Sequence, residues 1–135
     1  MTLRYRLIAT FIVVAGLTFM IASTTTAAPR EKWYEGGTLH KAGALDWQKA
    51  TYRDKLATCA DFVAYAWEKG MLKTAIRRKI KTIEDFRPYA IELLKFLDAA
   101  LEKDPDPAKN QKMYAKLMVS EIAAIGMATM GWVKE

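Results

Sequence analysis

From Leu45 onward, apolar residues recur at helical spacing. Leu45, Tyr52, Leu56, Cys59, Ala60, Val63 and Trp67 lie at offsets of 0, 7, 11, 14, 15, 18 and 22, which is one face of a helix. Asp54 is a capping residue type, and a cap there would divide the stretch into two helices. Gly70 suits the C-terminal stop. Phe62 and Tyr65 fall off the main stripe, so this helix is expected to be contacted on two sides. Residues 71–81 (MLKTAIRRKIK) read as a short basic helix. Thr82 then opens T-I-E-D, a capping-box-like start in which Asp85 replaces the usual Glu. Behind it, Ile83, Phe86, Ala90, Leu93, Leu94, Leu97 and Leu101 keep 3–4 spacing. Pro88 removes a backbone donor near the start, predicting either a kink or a helix that begins near Arg87.

Asp104-Pro105-Asp106-Pro107 is the strongest break in the chain. Asp106 can cap a following helix with Pro107 at its first position. That last helix is expected to run from about Pro107 to Met130. Its C-terminal half, Ile122 to Val133 (IAAIGMATMGWV), carries no charge. Twelve residues are too few to span a bilayer, so a central buried helix is expected, with Ala123, Ala124, Gly126, Ala128 and Gly131 admitting a close neighbour. No window shows sustained β alternation. Residues 28–43 read as irregular, with Gly36-Gly37 breaking any regular element and Trp33 and Tyr34 folding back as anchors. The expected fold is all-α, a bundle of four to five helices over residues 28–135, irregular to residue 43 and helical from about residue 44.

The first segment follows a different rule. Met1 to Arg6 carries Arg4 and Arg6 and no acid; Leu7 to Ala22 is sixteen residues without a charge; Ser23 to Ala28 (STTTAA) is small and polar. That order predicts a secretory signal peptide over residues 1–27, with Thr25 and Ala27 at −3 and −1 of the cut. The apolar run is shorter than a bilayer-spanning helix, no cysteine follows it for a lipid anchor, and Tyr5 separates the two arginines. A periplasmic or secreted location follows. Removal of residues 1–27 leaves 108 residues, and Lys plus Arg fall from 21 to 19 against 15 Asp plus Glu, a net charge of +4. One modest core fits that length.

The chain has one cysteine, Cys59, and one histidine, His40. An intrachain disulfide and any multi-cysteine or two-histidine metal site are therefore excluded, and no metal or cofactor is expected. Cys59 with His40 could form a thiolate–imidazolium pair for nucleophilic catalysis. Cys59 lies on the apolar stripe, however, where a thiol packs as a small hydrophobe. The nearby acids are Asp54 with Asp61, Glu84 with Asp85, and Asp104 with Asp106. Several of them have capping roles, and none of the pairs is read as an acid/base dyad. Gly36-Gly37-Thr38 lacks the rest of a phosphate loop.

Two features suggest binding. Arg77, Arg78, Lys79 and Lys81, with Lys69 and Lys73 nearby, form the densest basic patch, suited to an acidic partner or an anionic lipid surface. No aromatic lies between Lys73 and Lys81 to stack on bases, and an exported protein meets little nucleic acid, so none is expected as a partner. The region after residue 27 also holds four tryptophans and five tyrosines. Trp33, Tyr34 and Trp47 are candidate contact residues, since exposed aromatics anchor many interfaces.

The stretch GGTLHKAGALDWQKATYRDKLATCADFV, residues 36–63, resembles a segment of small exported bacterial proteins of uncharacterised function, which implies a periplasmic bacterial protein and carries no activity. LATCADF also resembles the start of the acid-stress periplasmic chaperones, small exported helical proteins; their pattern has two disulfide-bonded cysteines, and this chain has Cys59 alone, so nothing is carried over. The sequence therefore reads as an exported, non-enzymatic binding or accessory protein whose partner is a protein or an envelope component. The alternatives are a cysteine-dependent enzyme using Cys59 and His40, and a peripheral binder of anionic membrane.

Overall fold

Local capping explains most element boundaries in the computed structural model, which describes Ala27 and residues 29–135. The expected signal peptide lies, apart from Ala27, outside the described residues. Residues 31–135 form one compact unit. Six α-helices run in order: α1 (Ala44–Lys49), α2 (Tyr52–Glu68), α3 (Thr74–Arg77), α4 (Arg87–Ala100), α5 (Pro107–Tyr114) and α6 (Val119–Thr129). A 3₁₀ turn, Ile83–Phe86, precedes α4. The all-α expectation holds for the described residues. The helix count exceeds the expected four to five: the stretch from Leu45 is divided, as one of its two readings had it, and the stretch read as continuous from Pro107 to Met130 is divided as well.

The first division falls at Ala50-Thr51, not at Asp54. Thr51 has extended backbone, and its hydroxyl accepts from the Asp54 amide at 3.2 Å, starting α2. Asp54 is thereby inside the helix, where it takes another role described below. The second division falls at residues 115–118, within the expected Pro107–Met130 helix. Ala44 donates its amide to the Leu117 carbonyl at 2.8 Å, and Val119 donates to that of Ala42 at 3.0 Å. These bonds form an isolated antiparallel bridge between Gly43 and Met118. Met118 is drawn into extended backbone, and α6 begins afresh behind it. A second bridge joins Leu72 to Val133, with Lys73 donating to Trp132 at 2.8 Å and Lys134 to Met71 at 2.9 Å. The basic stretch 71–81 is consequently helical only over Thr74–Arg77.

The expected central buried helix over Ile122–Val133 is instead buried on one face only, with Ala123, Gly126 and Met127 inside and Ile125 55% exposed, while other local expectations hold. Gly70, at φ +68°, ends α2. Asp85 Oδ2 accepts from the amides of Lys81 and Thr82, each at 2.8 Å, closing the turn before α4. Pro88 sits in the first turn of α4, where a missing donor costs nothing. Asp106 caps α5 by accepting from Ala108 at 2.9 Å.

The helix α4 packs against both α2 and α6. The centre of the unit holds Trp47, Val63, Leu72, Leu93, Leu97, Leu101 and Val119, all fully buried. Each such side chain contributes about 1.5–3 kcal/mol through burial. A reciprocal amide pair secures α1 to α5: Gln48 Nε2 donates to Asn110 Oδ1 at 3.1 Å, and Asn110 Nδ2 donates to Gln48 Oε1 at 2.8 Å. At the α4–α6 crossing, Gly126 faces Phe96; a Cβ there would lie 2.6 Å from Cδ1 of the ring.

Ahead of α1, residues 37–40 lie on the start of α2. Thr38 gives its amide to Asp54 Oδ1 at 2.7 Å and its hydroxyl to Oδ2 at 2.6 Å. The Leu39 amide donates to the hydroxyl of buried Thr58 at 3.2 Å. Gly37 permits this approach, because a Cβ at that position would sit 2.6 Å from the backbone nitrogen of Thr58. Helix backbone cannot step aside as a side-chain tip can. Gly37→Ala is therefore expected to destabilise the protein by about 1–3 kcal/mol, read as a lower midpoint in urea unfolding; an unchanged midpoint would contradict the close packing.

Candidate functional site

The arm that Gly37 and Asp54 hold against α2 delivers His40 to the mouth of a cleft. Partial burial pulls the Asp54 carboxyl upward, but the hydrogen bonds from Thr38 and Thr58 outweigh it and hold the carboxyl below its ordinary value. Asp54 is thus kept as an anion that fixes the arm. Two residues beyond Thr38, His40 Nε2 meets Asp61 Oδ2 at 2.7 Å, and the imidazole stands edge-on to Phe62 with ring centres 5.7 Å apart.

Behind this pair the cleft opens between α2 and α6, with a volume of about 470 Å³. Phe62, Tyr65 and Ala66 form one wall, Ala124 and Met127 the other, and Met71 from the loop after α2 closes an end. His40, Asp61 and Ser120 are the polar side chains on its lining. Tyr65 is 57% exposed and Met71 44%, values high for large apolar side chains. The volume lies within the range of small-molecule sites, and mostly apolar walls with a few polar groups fit that class. Among the described residues no hydrogen bond joins Ser120 to His40, and the imidazole nitrogen in contact with Asp61 is Nε2. A nucleophile, base and orienting acid are therefore not aligned here as acyl-transfer chemistry needs.

Cys59 stands apart from this cleft chemistry. It is fully buried, and burial first, then the nearby Asp98 carboxylate, pushes its thiol far above the ordinary value of 9.0, with Lys55 opposing. A thiol so raised is a poor source of thiolate at neutral pH. His40 is engaged by Asp61 instead. The acids expected as pairs are also separated by role: Asp54 holds Thr38, Asp61 holds His40, and Asp85 and Asp104 accept backbone amides of their own turns.

The expected contact residues fall in three places. Arg77, Arg78 and Lys81 are exposed and border a second hollow, of about 450 Å³, together with Trp67, Thr74 and Ile80. Lys79 is exposed but does not line it. Trp33 and Tyr34 are half-buried against the core, and Trp33 Nε1 donates to Glu84 Oε1 at 3.0 Å beneath the Arg87 guanidinium. Trp47 departs from expectation. It is 1% exposed, its Nε1 donates to Asp98 Oδ1 at 2.9 Å, and Lys55 covers its ring, so it is a core residue and not a contact anchor.

Apart from His40 and Asp61, which the sequence considers with other partners, the residues of the α2–α6 cleft are not singled out by sequence as a site. The available signal was Phe62 and Tyr65 lying off the main stripe of α2. Among the described residues no cluster of three or more metal-ligating side chains occurs, and no helix is long and apolar enough to cross a membrane. The chain matches no family model, no curated protein and no solved structure.

A thiol reagent separates a packed from a reactive Cys59. Native protein at neutral pH should label at least about a hundredfold more slowly than protein in denaturant, because labelling requires opening of the core. Comparable rates would place the thiol in reach of solvent.

Proposed function

We propose that this is an exported binding protein that performs no chemistry of its own, and that the group it binds is apolar and enters the cleft between α2 and α6. The observation that carries this reading is a cleft with apolar walls whose hydrogen-bonding groups sit together at one lip. Apolar contact supplies affinity, at about 0.8 kcal/mol for each methylene taken from water. The His40–Asp61 pair supplies direction, since it can meet the polar end of a group whose tail is inside. An envelope component with an acyl or aromatic part has that chemistry. The arm holding His40 is fixed by Asp54 and Gly37, so the lip is preformed and the ordering cost of binding is small.

Export is supported by the order of residues 1–27: a basic start, an uncharged run and small residues at the cut. A single thiol buried in the core also suits an oxidising compartment, where an exposed one would pair or oxidise. The exported protein is expected to begin at Ala28, checked by N-terminal sequencing; a retained Met1 would remove the periplasmic assignment and leave the cleft untouched.

Ala124 tests the cleft because it is exposed on α6 and carries little packing. Wild-type protein should take up the apolar dye N-phenyl-1-naphthylamine with a rise in fluorescence. Ala124→Trp should weaken that uptake at least about tenfold, equivalent to about 1.4 kcal/mol, with an unchanged melting temperature. Equal uptake by both proteins would sink the proposal.

A further inference from the structure

We infer that the hollow bordered by Trp67, Thr74, Arg77, Arg78 and Lys81 is a binding site for a phosphate-type oxyanion carried on an apolar body. The inference is independent of the α2–α6 cleft and extends the function proposed above to a second ligand chemistry.

Three cations from one five-residue stretch border a single concavity. Two are guanidinium groups, whose paired N–H donors match phosphate oxygens. Among the described residues Lys32, Arg53, Lys55 and Lys109 have a carboxylate partner, and most other Lys and Arg have none, so it is the gathering of three cations at one concavity that sets this hollow apart. Arg77, Arg78 and Lys81 form no such salt bridge among those residues. Glu84, the nearest acid in sequence, accepts from Trp33 Nε1, and Asp85 uses Oδ2 on the amides of Lys81 and Thr82. The positive charge gathered at the hollow is therefore left for a countercharge from outside.

The interior of the hollow distinguishes it from a merely solvated basic face. The Trp67 ring forms part of the wall, with the Arg77 guanidinium 5.5 Å from its centre and Phe86 edge-on at 5.9 Å. Ile80, 3% exposed, adds aliphatic surface. The Trp67 indole N–H is buried and has no acceptor, an arrangement that costs about 1–3 kcal/mol where it persists. Thr74 adds a hydroxyl to the lining. Cations at the rim and an aromatic wall together favour an anion with an apolar portion over a free hydrated ion. The volume of about 450 Å³ has room for both parts.

Phenyl phosphate is the probe for a soluble phosphoester, and vesicles of phosphatidylcholine with equal phosphatidylglycerol are the probe for a lipid headgroup, each used at about 0.15 M salt so that diffuse attraction is screened. Wild-type protein should bind at least one of them. The exposed pair Arg78→Gln plus Lys81→Gln should weaken binding at least tenfold while the melting temperature holds. Lys95→Gln plus Lys112→Gln removes the same charge from exposed lysines that do not line the hollow, and should leave binding within twofold of wild type. Binding of phenyl phosphate alone assigns a soluble phosphoester; retention on the vesicles, absent on pure phosphatidylcholine, assigns a headgroup. Failure of wild type to bind either probe, or equal losses in the two double variants, would overturn the site.

Discussion

Two backbone bridges hold the helix on which the cleft depends. Gly43–Met118 fixes the chain just before α6, and Leu72–Val133 fixes it just after. The first uses the leading amides of α1 and α6, at Ala44 and Val119, which helix starts would otherwise leave unpaired, and the second pairs loop amides and carbonyls at Met71, Lys73, Trp132 and Lys134. With both ends tied and Gly126 set against Phe96, α6 has one position relative to α4. The wall formed by Ala124 and Met127 is then fixed opposite Phe62 and Tyr65 on α2. The cleft follows from bonds that lie outside every helix.

The two hollows of the molecule have opposite chemistry. The α2–α6 cleft has apolar walls and a hydrogen-bonded His–Asp lip. The hollow by Trp67 has a cationic rim around an aromatic wall. Both draw on α2, which contributes Asp61, Phe62 and Tyr65 to one and Trp67 to the other. A helix with apolar residues on more than its core stripe can serve the interior and two surfaces together. The small size of the unit makes this economical, since one rigid helix supports several functions without a second core.

Much of the architecture was legible in the sequence. The stripe of α4, the Thr82–Asp85 turn, the Asp106 cap and the stop at Gly70 are local signals, and local signals determine where most of these helices begin and end. The misplaced division before α2 and the missed one before α6 have different causes. Thr51 competes with Asp54 for the start of α2, and Asp54 is drawn away by Thr38, sixteen residues earlier. The break at residues 115–118 has no local signature at all, because its cause is pairing with residues 42–44. Sites were less legible than helices. The basic run, with Thr74 inside it, was visible as charge, but Trp67 joined it only through the chain's path in space. Trp47 looked available because its partner, Asp98, is 51 residues away. His40 and Cys59 attracted attention by being single; the fold gives one an acid partner and buries the other.

The bridges also impose a topology on how the chain can assemble. Gly43–Met118 and Leu72–Val133 interlace, since the second loop opens before the first has closed. Each loop spans more than half of residues 31–135. Neither half of the unit can complete its pairing while the other is missing, and the closing contacts are far apart in sequence, a feature of slower folding. A chain emerging amino end first must therefore wait for residues 132–134. Until Val133 arrives, the partner of Leu72 does not exist, and the far end of α6 stays untied.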